Sequence, residues 1–112
     1  EIIAAEDNGL FVAEDVDYHL LGFVFLTIQE SPPGPLWVPR RFAVIESIGV
    51  APDCRRSGVA SNMMHAAETW AASRGADTVE LNVYEFNRGA MALYYQLGYS
   101  CTSRRMSKAV DA

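Results

Sequence analysis

The chain has 112 residues, half of them hydrophobic and 21% charged, which is the composition of one folded domain rather than a disordered tail or a membrane span. Its formal charge of −5 argues against nonspecific nucleic-acid binding. That charge is uneven: residues 1–39 hold seven acids and no Lys or Arg, while residues 40–112 hold nine bases and seven acids. A chain of this length buries roughly two thirds of its unfolded surface, enough for one core and no second domain, so residues 1–112 are read as a single domain. The longest apolar run, Leu20–Leu26, is too short to cross a bilayer, and no signal peptide is expected. Cys54 and Cys101 have no paired metal spacing, so no metal site and a reducing, cytoplasmic setting are expected.

In chain order, Gly9 to Glu14 reads as a short strand, Asp15-Val16-Asp17 as a turn and Tyr18 to Gln29 as the returning strand of a hairpin. Gly22 interrupts the second strand as a bulge would. Pro32, Pro33, Pro35 and Pro39 enforce a loop, and Arg41 to Val50 forms a third strand that ends at Pro52. From Ser57 to Arg74 the period turns helical, with Val59, Met63, Ala66, Ala67 and Trp70 on one stripe and Gly75 as the stop. Asp77 to Tyr84 alternates as a strand. A second helix runs from about Asn87 to Leu97 with Gly98 behind it, and Tyr99 to Lys108 reads as a last extended segment. The order β-β-β-α-β-α-β specifies an α/β fold of the α+β type, a mixed and mostly antiparallel sheet with helices on both faces.

The junction Pro52-Asp53-Cys54-Arg55-Arg56-Ser57-Gly58-Val59-Ala60 places two arginines where a helix begins. Cations there oppose the helix dipole, whereas free amide N–H groups, a glycine and nearby guanidinium groups suit a phosphate. A solvated arginine pair on an ordinary helix start is the competing explanation. Neither GxxxxGK[ST] nor GxGxxG is present, so the mononucleotide and dinucleotide loops are excluded.

Arg55-Arg56-Ser57-Gly58-Val59-Ala60 resembles the [Q/R]-x-x-G-x-[G/A] motif of the GNAT superfamily of acyl-CoA-dependent N-acyltransferases. The segment from Asn87 to Tyr99 is similar to that family's N-x-x-A-x-x-L-Y-x-x-x-G-[F/Y] element, and the resemblance covers about residues 9–108. It implies an acetyltransferase that uses acetyl-CoA and a primary amine acceptor. The backbone of Ile48, Gly49 and Val50 would pair with the pantetheine arm, and the amides of Arg55, Arg56, Ser57, Gly58, Val59 and Ala60 would cradle the pyrophosphate. Asn87 would bond the pantetheine region, and Tyr94 would sit near the sulfur.

Tyr94 is the candidate general acid, with a core tyrosine as its alternative; motif spacing selects it over Tyr95. Asn87 also suits a helix N-cap. Glu46 shares strand parity with Phe42, Val44, Ile48 and Val50, so it should point to an apolar side, where burial would raise its pKa and fit it to act as base. It also resembles an acidic position common in GNAT sequences. A salt-bridged edge carboxylate or a bulge that shifts the parity is the competing explanation, and Glu80 and Tyr84 are the fallback candidates. His19 reads as isolated, His65 and Glu68 as a surface pair, and Trp70 and the methionines as core.

The family usually carries one strand and two helices before the position of Gly9, where only eight residues stand. A piece of a longer product, a partner copy such as a homodimer, or an open acceptor side would each account for that. The acidic N-terminal stretch is expected to draw a cationic amine. A GNAT-like module that binds acyl-CoA as a sensor or scaffold, without turnover, is the alternative function.

Overall fold

In the computed structural model the described residues are 2–4 (backbone only), 7–15, 17–31, 40–51, 58–84 and 86–111. They fall into two compact units, residues 1–82 and 83–112.

The first unit is a five-stranded sheet in the order β1-β2-β3-β4-β5, formed by Ile2–Ala4, Asn8–Glu14, Leu20–Glu30, Arg41–Val50 and Thr78–Leu81. The first four strands pair antiparallel and β4 pairs parallel with β5, so the sheet is mixed and mostly antiparallel, as expected. Strand β1 corrects the expectation that no strand precedes Gly9. Its three residues are too few to show a period of two, and only pairing with Gly9–Phe11 makes them a strand.

Helix α1, Val59–Ser73, packs on β2, β3, β4 and β5. Val24, Leu26 and Ile28 of β3 and Ala43 and Ile45 of β4 turn to it, and Met63, Met64, Ala67, Trp70 and Ala71 meet them. A fully buried side chain of the size of Leu26 stabilises by about 1.5–3 kcal/mol. Two glycines let backbone and helix close up. A Cβ on Gly22 would stand 2.7 Å from the Gly49 carbonyl oxygen and 2.9 Å from Met63 Cε, and one on Gly9 would stand 3.2 Å from the Trp70 ring. Trp70 is core, as expected, with its ring edge-on to Phe11. Beside Gly22 the register slips by one residue against Ala13 and Glu14, so Leu21 forms the expected bulge.

Arg41 ties the far end of this unit together. Its guanidinium donates to the carbonyl of Arg74 behind α1 at 2.6 Å and to Glu30 at 2.7 Å, with Asp7 at 3.7 Å. In the β2–β3 turn the Asp15 carboxylate accepts from the N–H groups of Asp17 and His19, at 2.8 and 2.9 Å. His19, expected to be isolated, also brings its ring to Asp15 at 3.2 Å. Asp15, Asp17 and His19 thus gather within 4.8 Å, with Asp15 already engaged in shaping the turn. His65 and Glu68 form the expected exposed pair, at 3.8 Å.

The second unit holds helix α2, Arg88–Gln96. Residues 99–111 pair with no strand among the described residues, which corrects the expectation of a strand over Tyr99–Lys108. Its amphipathic composition permits a strand, but a strand needs a hydrogen-bonded neighbour, and Arg104, Arg105 and Lys108 are exposed.

Candidate functional site

The end of β4 departs from a regular strand at Glu46. Leu26 pairs with Ile45 and Phe25 pairs with Ser47, so Glu46 is the extra residue of a β-bulge. A bulge reverses the alternation beyond it. Ala43 and Ile45 face α1 before it, and Ile48 and Val50, opposite Val24 and Gly22, face α1 after it. Glu46 stays with Phe42 and Val44 on the other face. This corrects the expected common parity of Glu46 with Ile48 and Val50.

It also removes the expected burial: Glu46 is exposed. Its Oε1 accepts from Thr27 Oγ1 at 3.0 Å and from Gln29 Nε2 at 3.5 Å. The fallback acid Glu80 is engaged elsewhere, since Arg40 donates to it and to Thr78.

Beyond the bulge β4 has one free edge. β5 pairs with it only from Phe42 to Ile45, so among the described residues Ser47–Val50 have a strand neighbour on the β3 side alone. The Ala51 N–H donates to the Leu21 carbonyl, and the Gly49 carbonyl oxygen crowds Gly22, so these groups point to β3. By alternation the peptide groups of Ile48 and Val50 point into the gap.

The chain after β4 runs on to α1. Of the expected phosphate loop, Arg55, Arg56 and Ser57 lie outside the described residues; Gly58, Val59 and Ala60 lie within them. Gly58 caps α1 in the left-handed region at φ 87°, a conformation that favours glycine, and its carbonyl accepts from Asn62 N. Among the described residues no side chain caps the helix, and its first turn has no acid. The first-turn amides therefore lack intrahelical acceptors at the positive end of the helix dipole.

In the second unit, Asn87 is the N-cap of α2, its Oδ1 accepting from Ala90 N at 3.2 Å, as one of its two expected roles requires. Tyr94 is buried and its ring lies edge-on to Tyr99, with centroids 5.9 Å apart. Burial raises its pKa above the ordinary tyrosine value, so the phenol keeps its proton at neutral pH. Tyr95 is instead exposed, with its hydroxyl 3.2 Å from Cys101 Sγ. Tyr84 is exposed and stacks on Phe86.

Comparison with known proteins identifies the family of the chain. The Acetyltransferase (GNAT) family model matches residues 1–99. The chain belongs to the GNAT acetyltransferase family. Mycothiol acetyltransferase of Salinispora arenicola is 32% identical over 93 residues, which cover 82% of this chain and 29% of that protein. The crystal structure of the BH1408 protein of Bacillus halodurans superposes with a TM-score of 0.90 at 24% identity, over 94% of this chain and 67% of that one. The aminoglycoside N-acetyltransferase AAC(6')-Iy, solved in complex with CoA, superposes with a TM-score of 0.79 at 21% identity, over 96% of this chain and 79% of that one. These last two likenesses show the GNAT fold. The chain spans between 29% and 55% of the length of five curated acetyltransferases that it matches. No helix among the described residues is long and apolar enough to cross a membrane.

Sequence reasoning missed Thr27 and Gln29 beside Glu46. Their alternation on β3 marks them as facing away from Val24, Leu26 and Ile28, but the carboxylate they meet is set by a bulge in another strand.

Proposed function

We propose that residues 1–112 act as one transferase domain that moves the acetyl group of acetyl-CoA to a primary amine by direct nucleophilic attack. The observation that carries this reading is the free edge of β4 at Ile48 and Val50. The amides and carbonyls of a pantetheine arm can add to such an edge as a further strand. The pyrophosphate takes the amides from Arg55 to Ala60 at the entry of α1, with Arg55 and Arg56 supplying countercharge. Asn87 bonds the pantetheine region.

In this reading Glu46 accepts a proton from the ammonium group, directly or through a water, and frees the nitrogen lone pair. The nitrogen bonds to the thioester carbonyl carbon, and a backbone N–H of the Ile48–Val50 strand receives the developing oxyanion. The carbon–sulfur bond then breaks, Tyr94 gives its phenolic proton to the departing thiolate, and the second proton that the nitrogen loses on becoming an amide returns through water to the Tyr94 oxygen. The buried, protonated state of Tyr94 supports that role, and the exposure of Glu46 supports access by an amine from solvent.

The acceptor class is a cationic amine, such as those of the aminoglycosides acted on by one structural neighbour. Asp7 and Glu30 face Arg41 and Asp15 holds a turn, and Glu46 is the carboxylate proposed to meet the ammonium. Adding CoA to nitrogen-labelled protein is expected to shift the amide resonances of Ile48, Val50, Gly58, Val59 and Ala60. Binding that leaves all five unmoved contradicts the assignment.

A further inference from the structure

The face of the sheet away from α1 supplies Glu46 with two donors from β3. Ser47, not Glu46, stands opposite Phe25, and the carboxylate leans back along the sheet towards Thr27 and Gln29. Thr27 Oγ1 donates to Oε1 at 3.0 Å, Gln29 Nε2 reaches the same oxygen at 3.5 Å, and Gln29 Nε2 lies 3.3 Å from Thr27 Oγ1. Among the described residues, both donors end on Oε1 and none on Oε2. Arg40, just before β4, and Glu80 of β5 pair with each other.

We propose that Thr27 and Gln29 are positioning residues for acyl transfer: they pin Oε1 of Glu46 and leave Oε2 as the oxygen that takes the proton. The proposal rests on the reading of Glu46 as the base. A glutamate on an exposed strand has three freely turning side-chain bonds, and a loose carboxylate meets the ammonium in few of its orientations. Two donors on one oxygen remove most of that freedom. Both donors are neutral, so they orient the carboxylate without neutralising it, whereas an Arg or Lys partner would compete with the substrate's own cation. The bulge contributes the third constraint, since it fixes where the Glu46 backbone leaves the ladder.

Thr27→Val keeps the β-branched shape and removes the donor. It is expected to lower kcat/KM for the amine about tenfold or more, the scale of a hydrogen bond to a charged group, while the Kd for acetyl-CoA stays unchanged. Thr27→Ser is expected to restore most of the rate, and Gln29→Met, at an exposed position, to lower it several-fold. In a Glu46→Gln background Thr27→Val is expected to cost nothing more, because a positioning residue acts only through the group it positions. Wild-type turnover in Thr27→Val and Gln29→Met, or a full additional loss on top of Glu46→Gln, overturns the proposal. An unsubstituted protein that turns over no amine overturns the acetyltransferase reading itself, and this one with it. That outcome is distinguished by appearing before any substitution is made.

Discussion

Burial disfavours the tyrosinate form of Tyr94 and raises its pKa above the ordinary value. The sign of the effect on stability follows directly. A raised folded pKa leaves stability intact below about pH 10 and removes it as pH climbs through the folded value. Tyr94→Phe carries no such ionisation. The gap in thermal midpoint between wild type and Tyr94→Phe is therefore expected to narrow as pH rises past about 10, and a gap constant with pH contradicts the burial argument. The same variant is expected to lower kcat by about a hundredfold or more at neutral pH, if the phenol supplies the leaving-group proton. The choice of Tyr94 over Tyr95 rests on the spacing of the GNAT-like motif, and the structure buries Tyr94 and exposes Tyr95. The environment of Glu46 was not legible in the sequence, because parity counted along β4 assumes a regular ladder and the bulge is created by pairing with β3.

At the scale of elements, β3 and β4 do more than fill the sheet. Gly22 and Gly49 let the two strands and α1 close to distances that a side chain forbids. Gly22→Ala would bring a Cβ to 2.7 Å from a backbone oxygen, and backbone cannot swing away as a side chain can. Such overpacking costs about 1–3 kcal/mol. Chemical denaturation is expected to show a loss in that range, together with weaker CoA binding, because the strand that shifts is the one bearing Ile48 and Val50. A stability equal to wild type would mean that β4 yields without cost. The hairpin, the third strand and both helices were legible from period and punctuation. Strand β1 was too short to carry a period, and the extended reading of residues 99–108 failed because an amphipathic composition alone cannot supply a partner strand.

On the scale of the whole molecule, the net charge of −5 describes neither of the surfaces that matter. Arg41 gathers Asp7 and Glu30 at the end of the sheet away from the free β4 edge, and Asp15 is spent on a turn, so these three acids are engaged locally. The proposed transfer draws on a strand edge, the entry of α1, one exposed carboxylate and one buried phenol. Family membership fixes the fold that presents these groups, and the transfer reaction is the reading that uses all four. The sensor reading uses only the first two.

The measurement that separates the two readings is thiol release from acetyl-CoA with a panel of primary amines, compared between wild type and Tyr94→Phe. Acyl transfer requires amine-dependent thiol release, one acetylated amine per thiol, and a large drop in Tyr94→Phe. CoA binding with no thiol release on any amine would contradict the account and leave a binding module in its place.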